Sequence, residues 1–186
     1  MRTRGPGQSP LLLLDVAAVL AKEEVEYAVI GAMAASIHGS IRATTDADAL
    51  VSLSPAKLAR LQKAFKKARF ATDLRHGDAD DPIAALLAVT DKHGNRVDLL
   101  AGLRGLDNEA FSRAITVPFL GSSLRVIGRE DFIAMKCFAG GPLDLADARG
   151  ALKGTKEPID LDLLRRLTRR FGRPAADAFE QVLANG

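Results

Sequence analysis

At 186 residues, 47% hydrophobic and 26% charged, the chain has ordinary globular composition. This excludes a disordered or fibrous protein and leaves room for one domain with a small annex. A net charge of +3 permits an acidic partner without demanding one. The single thiol, Cys137, excludes an intrachain disulfide and fits a reducing cytoplasm.

Residues 1–8 read as a loose tail. The run that follows imitates a secretion signal, with basic residues ahead of LLLL. Asp15 interrupts it, however, and Ser9 with Pro10 makes a cap and first turn, so an amphipathic helix is expected to about Glu24. No segment reaches the ~20 apolar residues of a membrane span. EYAVIG is a short strand ending at Gly31, AMAASIHG a small-residue helix stopping at Gly39, and DADALVSL a strand. Ser54 and Pro55 open the helix PAKLARLQKAFKKARF.

RFATDLR reads as another strand, and the acidic stretch HGDADDP as a surface loop. Two apolar runs around His93, Gly94 and Asn95 signal a hairpin, and ITVPFL with SSLRVIG a second around Gly121. From Arg129 onward four helical segments are separated by Gly and Pro breaks. The expected fold class is α/β (α+β): a mixed sheet flanked by helices over residues 1–128, with a C-terminal helical subdomain over 129–186.

Residues two apart on a strand share a face, so Asp46 and Asp48 project together with Leu50 and Ser52, while Ala47, Ala49, Val51 and Leu53 form the core-packing face. Carboxylates roughly 7 Å apart repel when ionised. Solvent at a strand end offsets this, and so does a divalent cation, because carboxylate oxygens suit Mg²⁺. Asp98 is the third acid, set among Val97, Leu99 and Leu100 on the second strand of the first hairpin. An isolated ionised carboxylate is costly in apolar surroundings. If the two strands adjoin, three carboxylates converge, and such a cluster can hold two metal ions about 3.5 to 4 Å apart. Gly31, between a strand and a helix, leaves backbone amides open to phosphate.

Gly31, Ala32, His38, Gly39, Arg42, Thr44, Asp46 and Asp48 together resemble the glycine turn and paired-aspartate strand of the nucleotidyltransferase superfamily related to DNA polymerase β. In spelling they are nearest to the AbiEii-type bacterial nucleotidyltransferase toxins and their relatives. DFIAMKCFAGGPLDLADARGAL resembles the lysine-bearing helix and acidic helix start of those proteins, and the likeness spans roughly residues 25–155. It implies Mg²⁺-dependent transfer of a nucleoside monophosphate from a nucleoside triphosphate to an acceptor hydroxyl, with tRNA or another RNA as acceptor and an antitoxin protein as partner. Residue by residue, the resemblance gives Gly31 and Ala32 the triphosphate and Asp46, Asp48 and Asp98 two Mg²⁺ ions. It makes Asp98 a proton acceptor, sets Lys136 against phosphate charge, and adds Arg42, Thr44 and Asp144 as nucleotide contacts. Three departures are Ala32, where a second small polar residue or glycine is usual, Ala47, where a bulky apolar residue is common between the aspartates, and Gly141, where an arginine is common. Transfer to a small molecule such as an aminoglycoside, and a non-catalytic nucleotide-binding or interaction module, are the alternatives.

Without the resemblance Lys136 reads as a surface lysine and Cys137 as a small core residue. His38, His76 and His93 lack zinc spacing. Asp78, Asp80 and Asp81 read as a solvated loop. Arg165, Arg166, Arg169 and Arg170 fall on one helical stripe, by default a solvated face and, if RNA binds, the place where phosphates sit.

Overall fold

The structure, a computed structural model, describes residues 1–40, 44–154 and 158–185. In chain order the elements are α1 (Ser9–Lys22), β1 (Tyr27–Ile30), α2 (Gly31–Ile37), β2 (Ala47–Val51), α3 (Leu58–Lys67) after a 3₁₀ turn at Pro55–Lys57, β3 (Ala71–His76), β4 (Ile83–Thr90) and β5 (Arg96–Leu103). β6 (Ile115–Phe119), β7 (Ser122–Val126), α4 (Arg129–Ala139), α5 (Pro142–Lys153), α6 (Leu161–Arg170) and α7 (Arg173–Ala184) complete it. The seven strands form one mixed sheet in the order β3-β4-β5-β2-β1-β7-β6, with β2–β5 and β1–β7 parallel and the other neighbours antiparallel.

The middle of the sheet is covered on both faces, which explains its apolar spelling. All four positions of β1 are buried, and so are both Leu50 and Val51 of β2. The strict alternation expected of β2 therefore holds only at its head, where Asp48 is half-buried between buried Ala47 and Ala49. α1 buries Leu12, Leu13, Val16 and Leu20 at helical spacing against β2, β5 and β7, and α3 does the same with Leu58, Leu61 and Phe65 beneath β3 and β4.

The segment expected as a loose tail has no regular element, yet it is fastened to the β4–β5 turn. Gln8 N donates to Asn95 Oδ1 at 2.6 Å, Asn95 Nδ2 donates to the Gly5 carbonyl at 2.9 Å, and Thr3 is buried. Asn95, expected only as a turn residue, carries this role because its amide both donates and accepts.

The C-terminal helices share a continuous core with the sheet: Phe132, Ile133, Leu164 and Phe179 join the same apolar cluster as Val29, Leu99 and Val126. Three contacts fix the join. Gly39, at φ +110°, lies so close to the α5 terminus that a Cβ there would stand 2.5 Å from Gly154 Cα. His38 Nε2 donates to the Ile127 carbonyl at 2.8 Å, and burial lowers the imidazole pKa, so the ring is held neutral. Arg113, in the loop before β6, forks onto Asp131 of α4 at 2.7 and 2.7 Å and reaches Asp107 at 3.1 Å. The paired acid holds the guanidinium well above its usual pKa.

Asp131 is 2% exposed, so truncating it strands a shielded cation. Asp131→Ala is expected to lower unfolding stability by about 2 to 3 kcal/mol, below the upper end for a broken buried pair because Asp107 remains. Urea denaturation followed by circular dichroism measures it, and an unchanged midpoint contradicts it.

Candidate active site

The parallel pairing of β2 with β5 sets Asp48 directly opposite Asp98, with Ala47 opposite Val97 and Ala49 opposite Leu99. On the other side of β2, Ile30 of β1 lies opposite Asp48, so the chain enters Gly31 beside that carboxylate. Gly31 has φ +64°, and a Cβ there would lie 2.4 Å from Asp48 Oδ2. The glycine is required both by its left-handed conformation and by the carboxylate against its backbone.

Burial, then the charges of Asp98 and Asp46, raise the Asp48 pKa, against the opposing influence of Lys136 and Arg96. Asp46 is exposed in the loop just ahead of β2 rather than on the strand. Thr44 Oγ1 donates to the Asp46 carbonyl at 2.8 Å, so this hydroxyl shapes the loop. Arg42 lies outside the described residues.

Asp98 is engaged by a residue the sequence reading passed over. Arg96, two positions earlier on the same face of β5, forks onto it with Nε to Oδ1 at 2.7 Å and Nη2 to Oδ2 at 3.0 Å. Strand periodicity puts these two side chains on one face.

Lys136, expected on the surface by its spelling alone, is 9% exposed, because a carboxylate pair receives it. Its Nζ lies 2.7 Å from Asp144 Oδ1, 2.8 Å from Asp147 Oδ2 and 5.6 Å from the centroid of the Phe132 ring. Asp147 is the second residue missed. It is 1% exposed and accepts from Ser40 Oγ at 2.9 Å. Its signal was the three-residue spacing from Asp144, which places both acids on one face of α5. Ile30, Gly31, Phe132, Met135, Lys136, Ala139 and Asp144 line a pocket of about 140 Å³. A complete small-ligand pocket runs to ~300 Å³ or more, so this one has room for only part of such a ligand. Larger hollows of about 300 and 340 Å³ lie around Lys57 with Arg60 and around Gly102 with Phe111, away from these acids.

Among the described residues no three His, Cys, Asp or Glu side chains stand grouped tightly enough to ligate one ion. The donor chemistry nevertheless fits Mg²⁺. Asp46, Asp48 and Asp98 are hard oxygen donors, and Asp48 and Asp98 are adjacent across the sheet.

The remaining candidates fall away from this cleft. Cys137 is buried and its thiol is pushed up to about 12 by burial, the property of an inert core residue. Asp78 Oδ1 accepts from the backbone of Asp80 and Asp81 and so organises its own exposed loop. On α6, Arg165 pairs with Glu180 at 3.0 Å, and Arg170 donates to the carbonyls of Gly105 and Leu106, whereas Arg166 and Arg169 are exposed.

Two substitutions test this geometry. Gly31→Ala is expected to cost about 1 to 2 kcal/mol from the left-handed conformation alone, with further loss from the clash, as a lower midpoint in thermal unfolding. For Asp48 the raised folded pKa means that the stabilising neutral form is fully present below the unfolded value of 3.8 and is lost as pH rises. Asp48→Asn is therefore expected to stabilise the metal-free protein by about 1 kcal/mol at neutral pH, a gain that disappears below about pH 4. Denaturant titrations at pH 7 and pH 4 check the sign.

No family model matches the chain, and no curated protein matches it. Solved structures do. The antibiotic-resistance factor ANT(2'')-Ia in solution superimposes with a TM-score of 0.58 at 13% identity, covering 96% of this chain and 98% of that one. A lincosamide antibiotic adenylyltransferase, LnuA, with lincomycin bound gives 0.50 at 10% identity, covering 82% and 100%. An antigenic nucleotidyltransferase-like protein from Paracoccidioides brasiliensis gives 0.50 at 13%, covering 95% and 85%. At such identities the likeness is one of architecture, and the chain has the fold of these nucleotidyltransferases.

Proposed function

We propose that the protein is a Mg²⁺-dependent nucleotidyltransferase that moves a nucleoside monophosphate from a nucleoside triphosphate to an acceptor hydroxyl. The observation that carries this reading is the convergence at one sheet position: Asp48 opposite Asp98, Gly31 against Asp48, and Lys136 close enough to influence the same carboxylate.

In this reading Asp46, Asp48 and Asp98 hold two Mg²⁺ ions, which supply charge neutralisation at the phosphates and lower the pKa of the acceptor hydroxyl. Gly31 and Ala32 present backbone amides to the triphosphate, with Thr44, Arg42 and Asp144 as further contacts on the nucleotide side. The Lys136 ammonium faces the phosphate negative charge at the mouth of the pocket. The acceptor oxygen bonds to the α-phosphorus, the bond from that phosphorus to the bridging oxygen breaks, pyrophosphate leaves, and the hydroxyl proton passes to an Asp98 oxygen. The absent side chain at Ala32 leaves its amide in place.

For the acceptor, RNA, tRNA in particular, is the first reading, with the protein acting as the AbiEii-type toxin of a toxin and antitoxin pair in the cytoplasm. Arg166 and Arg169, exposed on α6, are the cations available to phosphates there, with Arg165 and Arg170 beside them. A small-molecule acceptor is the second reading. It is favoured because the antibiotic-resistance factor ANT(2'')-Ia, also solved with adenylyl-2''-tobramycin, and the lincosamide antibiotic adenylyltransferase LnuA have this fold over nearly their whole length.

Incubation with each labelled nucleoside triphosphate, Mg²⁺, and either total RNA or a panel of aminoglycosides and lincosamides tests both readings. Label is expected on one acceptor class, falling on the order of 10³-fold in Asp48→Asn, which loses a metal-holding carboxylate while staying folded. Absence of transfer to any acceptor, together with absence of Mg²⁺-dependent nucleotide binding, sinks the enzyme readings and leaves an interaction module.

A further inference from the structure

The arginine beside the third carboxylate is the part of this site that neither the sequence reading nor the reaction accounts for. Both oxygens of Asp98 are engaged by one guanidinium, at 2.7 and 3.0 Å, in the bidentate geometry that makes such pairs strong. Asp98 is also the acid that stands opposite Asp48, where an ion bridging β2 and β5 must bind. A dication seated there would lie within a few ångströms of the guanidinium, and like charges that close repel strongly in a half-buried setting.

Comparison with the other forked arginine indicates which partner yields. Arg113 has a side chain 19% exposed, and Asp131, Asp107 and Glu109 all hold it in place. The Arg96 side chain is 38% exposed, hydrogen-bonds only to Asp98 among the described contacts, and extends from a strand whose backbone is separately fixed by Arg96 N donating to Ser9 Oγ at 3.1 Å. It can therefore leave Asp98 for solvent without disturbing β5.

Resting on the proposed metal chemistry, we infer that Arg96 is a built-in counter-cation that competes with divalent metal for Asp98, so that forming the metal site requires the Arg96–Asp98 fork to open. The pair eases the repulsion between the facing acids Asp48 and Asp98 in the metal-free protein, and it sets a threshold on metal binding. In this role Arg96 is a positioning residue, acting on the reaction through Asp98.

Mn²⁺ binding read by the paramagnetic resonance of the free ion, without nucleotide, is the test, with folding of each variant confirmed by circular dichroism. Arg96→Gln, which removes the charge and shortens the side chain to a neutral amide, is expected to bind Mn²⁺ about tenfold more tightly than the natural protein. Arg96→Lys, which keeps charge without the fork, is expected to fall between them. In the natural protein the ¹⁵Nε signal of Arg96 should move from its paired to its free position as Mg²⁺ is added, a readout that needs no variant. Equal or weaker Mn²⁺ binding by Arg96→Gln, or an Arg96 signal unmoved at Mg²⁺ saturation, overturns the inference. Where the natural protein binds Mn²⁺ and Asp48→Asn abolishes that binding, such a result leaves the proposed metal site standing. Absence of Mn²⁺ binding by both the natural protein and Arg96→Gln overturns both.

Discussion

The parallel pairing of β2 with β5 is the constraint on which the site depends. Residues 48 and 98 are fifty positions apart in the chain, and only this register makes their side chains neighbours. The arrangement is unfavourable on its own terms, since it sets like charges face to face in a half-buried place and raises the Asp48 pKa. The surrounding sheet holds the pair together: β1 and β4 fix the outer edges of the two strands by antiparallel registers, and α1 buries Leu12, Leu13 and Val16 against them. A core of this density does not relax a single register to relieve one repulsion.

The second structural requirement is that α4 and α5 stay where they are, because Lys136 reaches the cleft only from that direction. Charged contacts and apolar packing share this task. Asp131 on α4 is fastened by Arg113, and Asp147 on α5 receives Lys136 and Ser40 together, so the helix carrying the ammonium is tied to the helix start and to the end of α2. The closeness of Gly39 to Gly154 lets α2 and α5 approach without a side chain between them. Gly39, Gly154 and Asp131 matter to the site through the helices they hold, and Asp147 through its contact with Lys136 as well.

The element order and both hairpins were legible in the sequence because each has a local signature, and Asp98 stood out as an acid in an apolar run; that its strand adjoins the strand of Asp48 could be posed only as a condition, because no local signal sets that pairing. The place of Asp46 was left open between a solvated strand end and a metal ligand, since the exact head of a strand depends on the loop before it, and Thr44 shapes that loop through the Asp46 backbone. Lys136 read as a surface residue because nothing in the spelling of α4 shows what another helix brings to it; its burial follows from Asp147, a residue of α5. Arg96 was readable in principle, two positions before Asp98, but strand periodicity says only that they share a face and not that a guanidinium closes on the carboxylate. The tail was misread for a related reason: Asn95, the residue that fastens it, is nearly ninety positions downstream.

The charges of the cleft share one pattern: its two structurally described cations, Arg96 and Lys136, each lie against a carboxylate. Five carboxylates, Asp46, Asp48, Asp98, Asp144 and Asp147, stand against these two cations, so the described cleft is net acidic, and in the proposed reading ligands act by exchanging partners as well as by meeting unpaired charge. In each pair one member is better shielded and stays, while the more exposed one is the member that can leave. Asp147 at 1% side-chain exposure keeps Lys136, and Asp144 at 30% can give way to phosphate. Asp98 at 18% stays, and Arg96 at 38% can give way to metal. The two exchanges have opposite sign, one releasing an anion and the other a cation. If the proposed reading holds, a nucleotide arriving with Mg²⁺ would therefore perturb the net charge of the cleft less than either would alone, which would favour their binding together.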